Sequence, residues 1–250
     1  MITRQSILSS IRSTLEPLEF VHAMWEGGAA AFSRVDEWSD IDLQIDVDDG
    51  RADEVMAIVE RALPPVLHRF EVPRPTWHGH AQVFLTFRDA SPFLMLDLVV
   101  IEHSSADKFL QPRIHGNAVV HFDRSGVTEP PAFDQDTHAA KVATRIGLLG
   151  DSFDMFQTLT LKEIERGNLV EAVSYYQGHT LRPLVEALRI RHAPERYNFH
   201  TRYVYYELPP DVVAELERLF LPRDAEDLRR CHARAGEMFH EVMEALSARS

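Results

Sequence analysis

The chain has 250 residues, of which 45% are hydrophobic and 26% are charged. This composition is typical of a folded globular protein and excludes a disordered or collagen-like chain. With 26 basic and 39 acidic residues, the formal net charge is −13, which disfavours nucleic acid and anionic membranes as partners and favours a cationic partner.

The first half of the chain mixes predicted helices with predicted strands. Apolar periodicity and turn signals predict, in chain order, a helix over residues 4–16, strands over 20–25 and 41–45, a helix over 53–63, and strands over 80–87 and 93–101. The turn-forming cluster Asp89-Ala90-Ser91-Pro92 separates the last two strands. It predicts that they form an antiparallel hairpin.

The second half is helical throughout. The predicted helices cover residues 136–166, 168–192, 209–220 and 223–247, and four helices of these lengths favour a bundle. The sequence therefore predicts an α+β fold of two domains. Residues 1–133 form a mixed sheet flanked by helices, and residues 134–250 form a C-terminal helical bundle domain.

Cysteine, signal and histidine patterns give three further expectations. The single cysteine, Cys231, excludes an internal disulfide. The N-terminus lacks an apolar signal core and no stretch approaches the ~18–20 apolar residues of a membrane span, so a cytoplasmic protein without a membrane partner is predicted. His78 and His80 would share one strand face, but no cysteine pair or His-Glu-x-x-His spacing accompanies them, and structural zinc is not expected.

Acidic residues are concentrated near one predicted strand. Residues 1–133 contain 20 acidic and 11 basic residues, a net charge of −9, and the densest acidic run spans residues 36–54. Such a run can be a solvated loop. However, Asp40 and Asp42 lie two apart on a strand, which puts their carboxylates on one face ~6–7 Å apart. Two carboxylates that close favour a cation, and oxygen-only ligands suit Mg²⁺.

A third carboxylate interrupts an otherwise apolar strand. Residues 93–101 are hydrophobic at every position except Asp97, a pattern typical of a strand covered on both faces. An ionised carboxylate there carries a large desolvation cost unless it is paired, metal-bound or reprotonated. Asp97 is therefore either a metal ligand or a buried carboxylate that pairs with an arginine or caps a backbone amide.

Together with the Gly27-Gly28 turn, these residues resemble the DNA polymerase β-type nucleotidyltransferase superfamily. Its signature is a Gly-Gly or Gly-Ser turn, an Asp-x-Asp strand, and a third acidic residue on a neighbouring strand. Residues 25–43 carry the first two parts and residues 96–99 the third. With its helical second half, the chain is similar to the stand-alone aminoglycoside and lincosamide nucleotidyltransferases.

One position departs from that signature, depending on the alignment. If Gly28 is the motif glycine, the second motif position is Ala29 rather than serine, and ten residues separate it from Asp40. A phosphate-binding hydroxyl is then missing, which leaves backbone amides and Ser39. If Gly27-Gly28 is the pair, the motif is intact with eleven residues before Asp40.

The resemblance implies a nucleotidyltransferase-type α+β fold and an enzyme that transfers AMP from ATP to a hydroxyl of a small, aminoglycoside- or lincosamide-like acceptor, with release of pyrophosphate. It implies two Mg²⁺ ions held by Asp40, Asp42 and Asp97. The nucleotide would be bound by Gly27, Gly28, Ala29 and Ser39. Glu102, just past the strand of Asp97, is the candidate general base, with an exposed strand-end acid as the alternative.

The helical domain offers three more candidates for nucleotide binding, Lys141, Tyr176 and Arg182. Cationic side chains there would contact phosphates and the tyrosine would stack on a ring. For the arginine- and aromatic-rich segment 189–203, the alternative is a helix end and loop held by aromatic packing and surface ion pairs. Two other functions stay open: a protein-modifying nucleotidyltransferase of the toxin–antitoxin type, and a degenerate homologue that binds nucleotide without turnover, which Ala29 favours. A polymerase is disfavoured because the chain lacks a basic track.

Overall fold

The structure, a computed structural model, describes residues 2–248 and divides the chain into two compact units, Met1–Phe133 and Asp134–Ser250. The first unit contains a six-stranded mixed sheet flanked by helices, and the second is helical. The α+β fold predicted from the sequence is confirmed.

The sheet of the first unit is assembled around two parallel strands. Its strands are β1 (Val21–Glu26), β2 (Ile41–Val47), β3 (Val66–Glu71), β4 (Ala81–Phe87), β5 (Met95–Glu102) and β6 (Val119–Asp123), in the order β3-β4-β5-β2-β1-β6. β2 and β5 are parallel, and the other neighbours are antiparallel. The helices are α1 (Arg4–Leu15), α2 (Gly28–Ala31), α3 (Ala52–Ala62) and α4 (Pro112–His115).

One face of this sheet carries the main core. Ile11 of α1 and Val55 of α3 are fully buried in the same cluster as Leu43 of β2 and Leu98 of β5. Because successive side chains on a strand point to opposite faces, the residues between these apolar positions point to the other face. The alternation therefore sends the carboxylates of Asp42 and Asp97 to the face opposite α1 and α3.

Two strands of the sheet were not predicted from the sequence. β3 and β6 are the edge strands, and most of their side chains are exposed or half-buried. An edge strand that buries little apolar surface shows little of the alternation from which a strand is recognised. The antiparallel hairpin of β4 and β5 was predicted and is confirmed, with Val83 opposite Leu98.

The second unit packs its helices around a separate apolar cluster, in which the rings of Phe153 and Phe239 stack 3.6 Å apart. Its helices are α5 (Gln135–Arg166), α6 (Leu169–Tyr175), α7 (Arg182–His192), α8 (Val204–Glu207), α9 (Pro210–Phe220) and α10 (Ala225–Ser247), with a π-helical turn at Tyr176–Leu181 and a 3₁₀ segment at Pro194–Phe199.

Residues 169–192 are helical, as predicted, but a π-helical turn at Tyr176–Leu181 divides the single helix predicted over residues 168–192. Pro183 has no N–H and cannot bond to the carbonyl of His179, one turn earlier. That carbonyl instead accepts a hydrogen bond from Gln157 Nε2 at 3.0 Å, and the N–H of Arg182 reaches five residues back to Gln177. A proline inside a helical pattern thus produces a wider turn here rather than an end.

Across residues 2–248, none of the helices has both the length and the apolar character that crossing a membrane requires.

Candidate active site

Two of the three predicted metal ligands are direct neighbours in the sheet. Asp42 on β2 and Asp97 on β5 are register partners in the parallel pair. Neighbouring strands lie ~4.8 Å apart, so the two side chains leave the same face of the sheet side by side. Both are half-buried. This pairing brings together two carboxylates from segments that are more than fifty residues apart in the chain.

The glycine turn lies directly against Asp42. The N–H of Gly27 donates to the carbonyl of Asp42 at 2.9 Å, and Gly28 has a φ of +49°. A β-carbon added to Gly28 would fall 1.6 Å from Asp42 Oδ2. Only glycine combines this left-handed conformation with so close an approach. The turn and the first half of the Asp-x-Asp strand therefore form one compact structure.

Asp40 lies one residue before β2, and its backbone is held by a partly buried ion pair. Arg4 of α1 donates one guanidinium nitrogen to the carbonyl of Asp40 and the other to Glu26 Oε2. His121 Nε2 contacts the second oxygen of Glu26 at 2.9 Å. Glu26 is buried at the end of β1, immediately before the glycine turn. Arg4 thereby joins the start of β2 to the end of β1.

Gln44 is a buried amide that points towards the glycine turn. It shares the face of Asp42 on β2, and a β-carbon on Gly27 would meet its Oε1 at 3.1 Å. Within residues 2–248, Gln44 Oε1 has no hydrogen-bond partner, although the side chain is nine-tenths buried. A buried acceptor without a partner costs about 1–3 kcal/mol, so this atom is suited to accept a hydrogen bond from a bound water or ligand.

A chain of hydrogen bonds orients Asp97. His78 Nδ1 accepts from the backbone N–H of His80 at 3.1 Å, so its proton is on Nε2, which donates to Gln82 Oε1 at 3.2 Å. Gln82 Nε2 then donates to Asp97 Oδ1 at 2.8 Å. Because His78 Nδ1 is an acceptor, the tautomer of His78 is fixed, and this in turn fixes which atoms of Gln82 accept and donate. Gln82 of β4 thus holds one oxygen of Asp97.

Aromatic rings gather around His78. Phe109 contacts His78, His80 and His115, with ring centroids 5.4–5.7 Å apart, and Trp77 lies 5.0 Å from His78 with 89% of its surface exposed. Burial, the main cause, lowers the pKa of His80 and His115, which keeps both rings neutral near pH 7. Phe109 also has a φ of +57°, an uncommon conformation for a residue with a side chain.

Two of the residues predicted to bind the nucleotide near the glycine turn differ in their side-chain polar groups. Ala29 follows Gly28 in α2 and has no polar side-chain atom. The hydroxyl of Ser39 donates to Asp36 Oδ1 at 2.7 Å and accepts from the N–H of Asp36 at 2.9 Å. Its proton is therefore committed to the loop before β2, and the predicted contact of Ser39 with a phosphate would require this bond to break.

The structure corrects the prediction for Glu102. This residue ends β5, five positions after Asp97. It therefore lies ~16 Å from Asp97 along the strand, and its side chain points to the opposite face of the sheet. Its Oε1 accepts a hydrogen bond from the N–H of Gly50 at 3.0 Å. Glu102 is thus an exposed acid at the end of a strand, which was the alternative prediction from the sequence. It cannot reach a group bound at Asp42 and Asp97.

The prediction that Tyr176 stacks on a bound ring is also wrong. Tyr176 is fully buried in the core of the second unit, and its hydroxyl donates to the carbonyl of Leu219 at 2.9 Å. Burial raises the pKa of its hydroxyl far above the usual range. A ring enclosed on all sides by its own unit offers no face to a ligand.

Two cations of the second unit stay candidates. Arg182 begins α7, is exposed, and lies 3.3 Å from His200 Nε2 at the edge of a cavity of about 360 Å³. Lys141 is exposed in the second turn of α5. Their contact with a nucleotide remains a prediction.

Sequence reasoning missed Gln82, Gln44 and the pair of Arg4 with Glu26. A glutamine in an alternating strand is the ordinary pattern of an exposed face, so its position gave no signal. Glu26 was visible as an acid in an apolar strand beside the glycine turn. By the reasoning applied to Asp97, it could have been identified as a buried carboxylate that needs a partner.

No family model and no curated protein matches the chain. Among solved structures, the chain is similar to an aminoglycoside 6-adenyltransferase from Bacillus subtilis, with 12% identity, a TM-score of 0.37, and coverage of 99% of this chain and 91% of that chain. It is also similar to the "putative nucleotidyltransferase from H. pylori", with 12% identity, a TM-score of 0.29, and coverage of 100% and 99%.

Proposed function

We propose that the protein is a Mg²⁺-dependent nucleotidyltransferase that transfers AMP from ATP to a hydroxyl of a small molecule and releases pyrophosphate. One observation carries the proposal: Asp42 and Asp97 are register partners, and Gly28 lies against the Asp42 carboxylate. Two carboxylates beside a glycine turn match the requirements of a site for a metal-bound triphosphate. The resemblance noted from the sequence depends on the same residues.

The donor set fits magnesium. Asp40, Asp42 and Asp97 would hold the ions through carboxylate oxygens alone, the ligands that Mg²⁺ prefers. Because position 28 is glycine, the Asp42 carboxylate can lie where a β-carbon would otherwise be. When bound, the ions supply positive charge that offsets the charge of the triphosphate and lowers the pKa of the attacking hydroxyl.

The chain's own residues orient the reactants. Gln82 fixes one oxygen of Asp97, and Arg4 fixes the backbone of Asp40. In the proposed reaction the acceptor oxygen forms a bond to the α-phosphorus and the bond from that phosphorus to the bridging oxygen of pyrophosphate breaks. The acceptor proton leaves to solvent, and pyrophosphate departs with the electron pair.

The charge of the first unit supports a cationic acceptor such as an aminoglycoside or lincosamide. Residues 1–133 have a net charge of −9. An acidic surface attracts a positively charged substrate and raises its rate of encounter. The exposed ring of Trp77, which packs beside the hydrogen-bond chain to Asp97, gives the acceptor or the base a flat apolar surface.

The test is pyrophosphate release from ATP with Mg²⁺ and a panel of aminoglycosides, lincosamides and polyols. Asp42→Asn and Asp97→Asn should each lower the rate by about 10²–10³-fold, as expected when a main electrostatic contact is lost, while far-UV circular dichroism is unchanged. Asp89→Asn, in the exposed turn between β4 and β5, is the matched control and should keep full activity. Absence of Mg²⁺-dependent release with every acceptor would contradict the proposal.

A second candidate function is nucleotide binding without turnover. Ala29 favours it, because this position offers no hydroxyl to a phosphate. Calorimetric binding of ATP, abolished by Asp42→Asn but accompanied by no pyrophosphate release, would support this candidate over the enzyme.

A further inference from the structure

A second group of ligand-type side chains lies at the other end of β2. His22 of β1, Asp46 of β2 and His103, directly after β5, each offer one donor atom, and these atoms all lie within 4.8 Å of one another. Asp46 shares the face of Asp42 but follows it by four residues, ~13 Å along the strand. The group is therefore separate from the carboxylates of the candidate active site.

The contacts within this group are short. His103 Nδ1 lies 2.6 Å from Asp46 Oδ1, and the rings of His22 and His103 have centroids 4.3 Å apart. Asp46 is completely buried, whereas about half of the His103 side chain is exposed. A buried carboxylate covered by an accessible imidazole gives an ion a route from solvent to a charged ligand.

Two residues of the group also have contacts outside it. Lys108 Nζ bonds Asp46 Oδ2 and also the carbonyls of Glu102 and His103. His22 Nδ1 lies 3.3 Å from Ser125 Oγ. Metal sites in proteins commonly have such outer contacts, because they orient the histidine ring and the carboxylate that bind the ion.

We propose that His22, Asp46 and His103 form a binding site for a divalent transition metal ion of the zinc class. Two imidazoles and one carboxylate are a ligand set for Zn²⁺, whereas Mg²⁺ prefers oxygen alone. Tetrahedral zinc with ~2.0–2.1 Å bonds spaces its ligands about 3.3 Å apart, so closure requires side-chain movements of about 1 Å. Asp48, whose Oδ1 lies 2.8 Å from His22 Nε2, is positioned to supply a fourth ligand.

The alternative is that the buried charge of Asp46 is stabilised by Lys108 and by the hydrogen bond from His103 alone, without a metal ion. That arrangement would leave both histidines without a role in ion binding. The two accounts differ in whether the metal-free protein takes up zinc at this place. The ligands come from β1, β2 and the residue that follows β5, so a bound ion would link these neighbouring strands and raise the unfolding temperature.

The experiment uses the untagged full chain after treatment with a chelator. Zn²⁺ is titrated against a chromophoric chelator, and Co²⁺ is used as a probe with visible absorption. We expect one tightly bound ion per chain and an increase in unfolding temperature. His22→Ala and His103→Ala should each lower the affinity by at least about 10-fold, since even loss of an outer partner has an effect of that size.

Two controls and one alternative test variant make each outcome decisive. His240→Ala removes an exposed histidine that contacts Asp154 at 3.0 Å in the second unit, and it should not change the affinity. Asp42→Asn alters the candidate active site and should also leave zinc binding intact. Because His103 is half-exposed, His103→Ala carries the test if His22→Ala does not fold.

The proposal is overturned if the full chain binds no Zn²⁺ or Co²⁺, if both histidine variants bind as the parent does, or if Asp42→Asn alone removes binding. These readouts do not involve ATP. Failure here is therefore distinct from failure of the proposed nucleotidyl transfer, which is measured by pyrophosphate release.

Discussion

At the scale of single residues, the position of the Asp42 carboxylate depends on Gly28. A β-carbon at position 28 would lie 1.6 Å from Asp42 Oδ2, and the φ of +49° adds a cost of about 1–2 kcal/mol for a residue with a side chain. Gly28→Ala should displace the carboxylate, lower the free energy of unfolding, and reduce pyrophosphate release to the level of Asp42→Asn. Urea denaturation and the release assay measure the two effects.

Gly50→Ala separates the effect of the backbone conformation from the effect of contact with Asp42. Gly50 has a φ of +78°, but a β-carbon there would meet nothing within 4 Å. Gly50→Ala should therefore lose stability from the backbone conformation alone and keep its activity. Equal loss of activity in both variants would show that contact with Asp42 is not the reason for glycine at position 28.

A second residue-scale prediction concerns Gln82, which acts through Asp97. Gln82→Leu removes the donor at 2.8 Å from Asp97 Oδ1 and with it one contact that orients the Asp97 carboxylate. We expect pyrophosphate release to fall by about 10–100-fold, the usual effect of losing an outer partner of a metal ligand, together with a higher Mg²⁺ requirement. The measurement is the rate as a function of Mg²⁺ concentration.

Thr86→Val is the matched control, since Thr86 is on the same face of β4 and register places it opposite Met95 rather than Asp97. A shift in the Mg²⁺ requirement distinguishes positioning of Asp97 from a general loss of stability. An unchanged Mg²⁺ requirement in Gln82→Leu would show that Gln82 does not position the metal ligand.

At the scale of elements, a buried arginine holds the irregular segment after α7. Arg189 is fully buried and donates to the carbonyls of Arg196 and Arg202 and to the carboxylate of Glu207. Burial, which is the largest effect, lowers the pKa of the Arg189 guanidinium, while Glu207 opposes that effect. The ion pair thus fastens the 3₁₀ segment and α8 to α7.

We expect Glu207→Gln to lower the free energy of unfolding by about 3–5 kcal/mol, because it leaves a buried cation without its counter-charge. Urea denaturation followed by circular dichroism measures the change. Glu16→Gln is the control: Glu16 pairs with Arg12 at the exposed surface of α1, and its removal should leave the unfolding midpoint unchanged. Similar midpoints for Glu207→Gln and the parent would contradict this role for Arg189.

At the scale of the whole molecule, buried histidines in both units should make stability depend on pH. Burial, the first cause in each case, lowers the pKa of His115 in the first unit and of His232 in the second. Unfolded histidine titrates near 6.5, so as the pH falls below about 7 the unfolded chain takes up protons that the folded chain does not. The free energy of unfolding should therefore decrease from pH 7.5 to 5.5.

Urea midpoints at pH 7.5, 6.5 and 5.5 measure this dependence. His232→Leu should reduce it, because it removes one imidazole that must stay neutral in the folded state. His240→Leu, an exposed histidine on the same helix, is the control. A dependence in His232→Leu as steep as in the parent would contradict the assignment to burial of His232.

The sequence by itself determined the features that depend on local pattern. Apolar alternation predicted β2, a continuous apolar run with one acidic interruption predicted β5, and apolar periodicity predicted most helices, since each of these signals is contained in a few consecutive residues. The edge strands β3 and β6 lacked such a signal. At the π-helical turn, the local pattern predicted an unbroken helix instead.

Only the tertiary structure decided which side chains meet. Register and strand order made Asp42 and Asp97 neighbours, and helix packing enclosed Tyr176 in the core of its unit. Gln82 gained a role only because β4 lies beside β5. These outcomes depend on contacts between segments far apart in the chain, and the periodicity of one segment carries no information about the register of another.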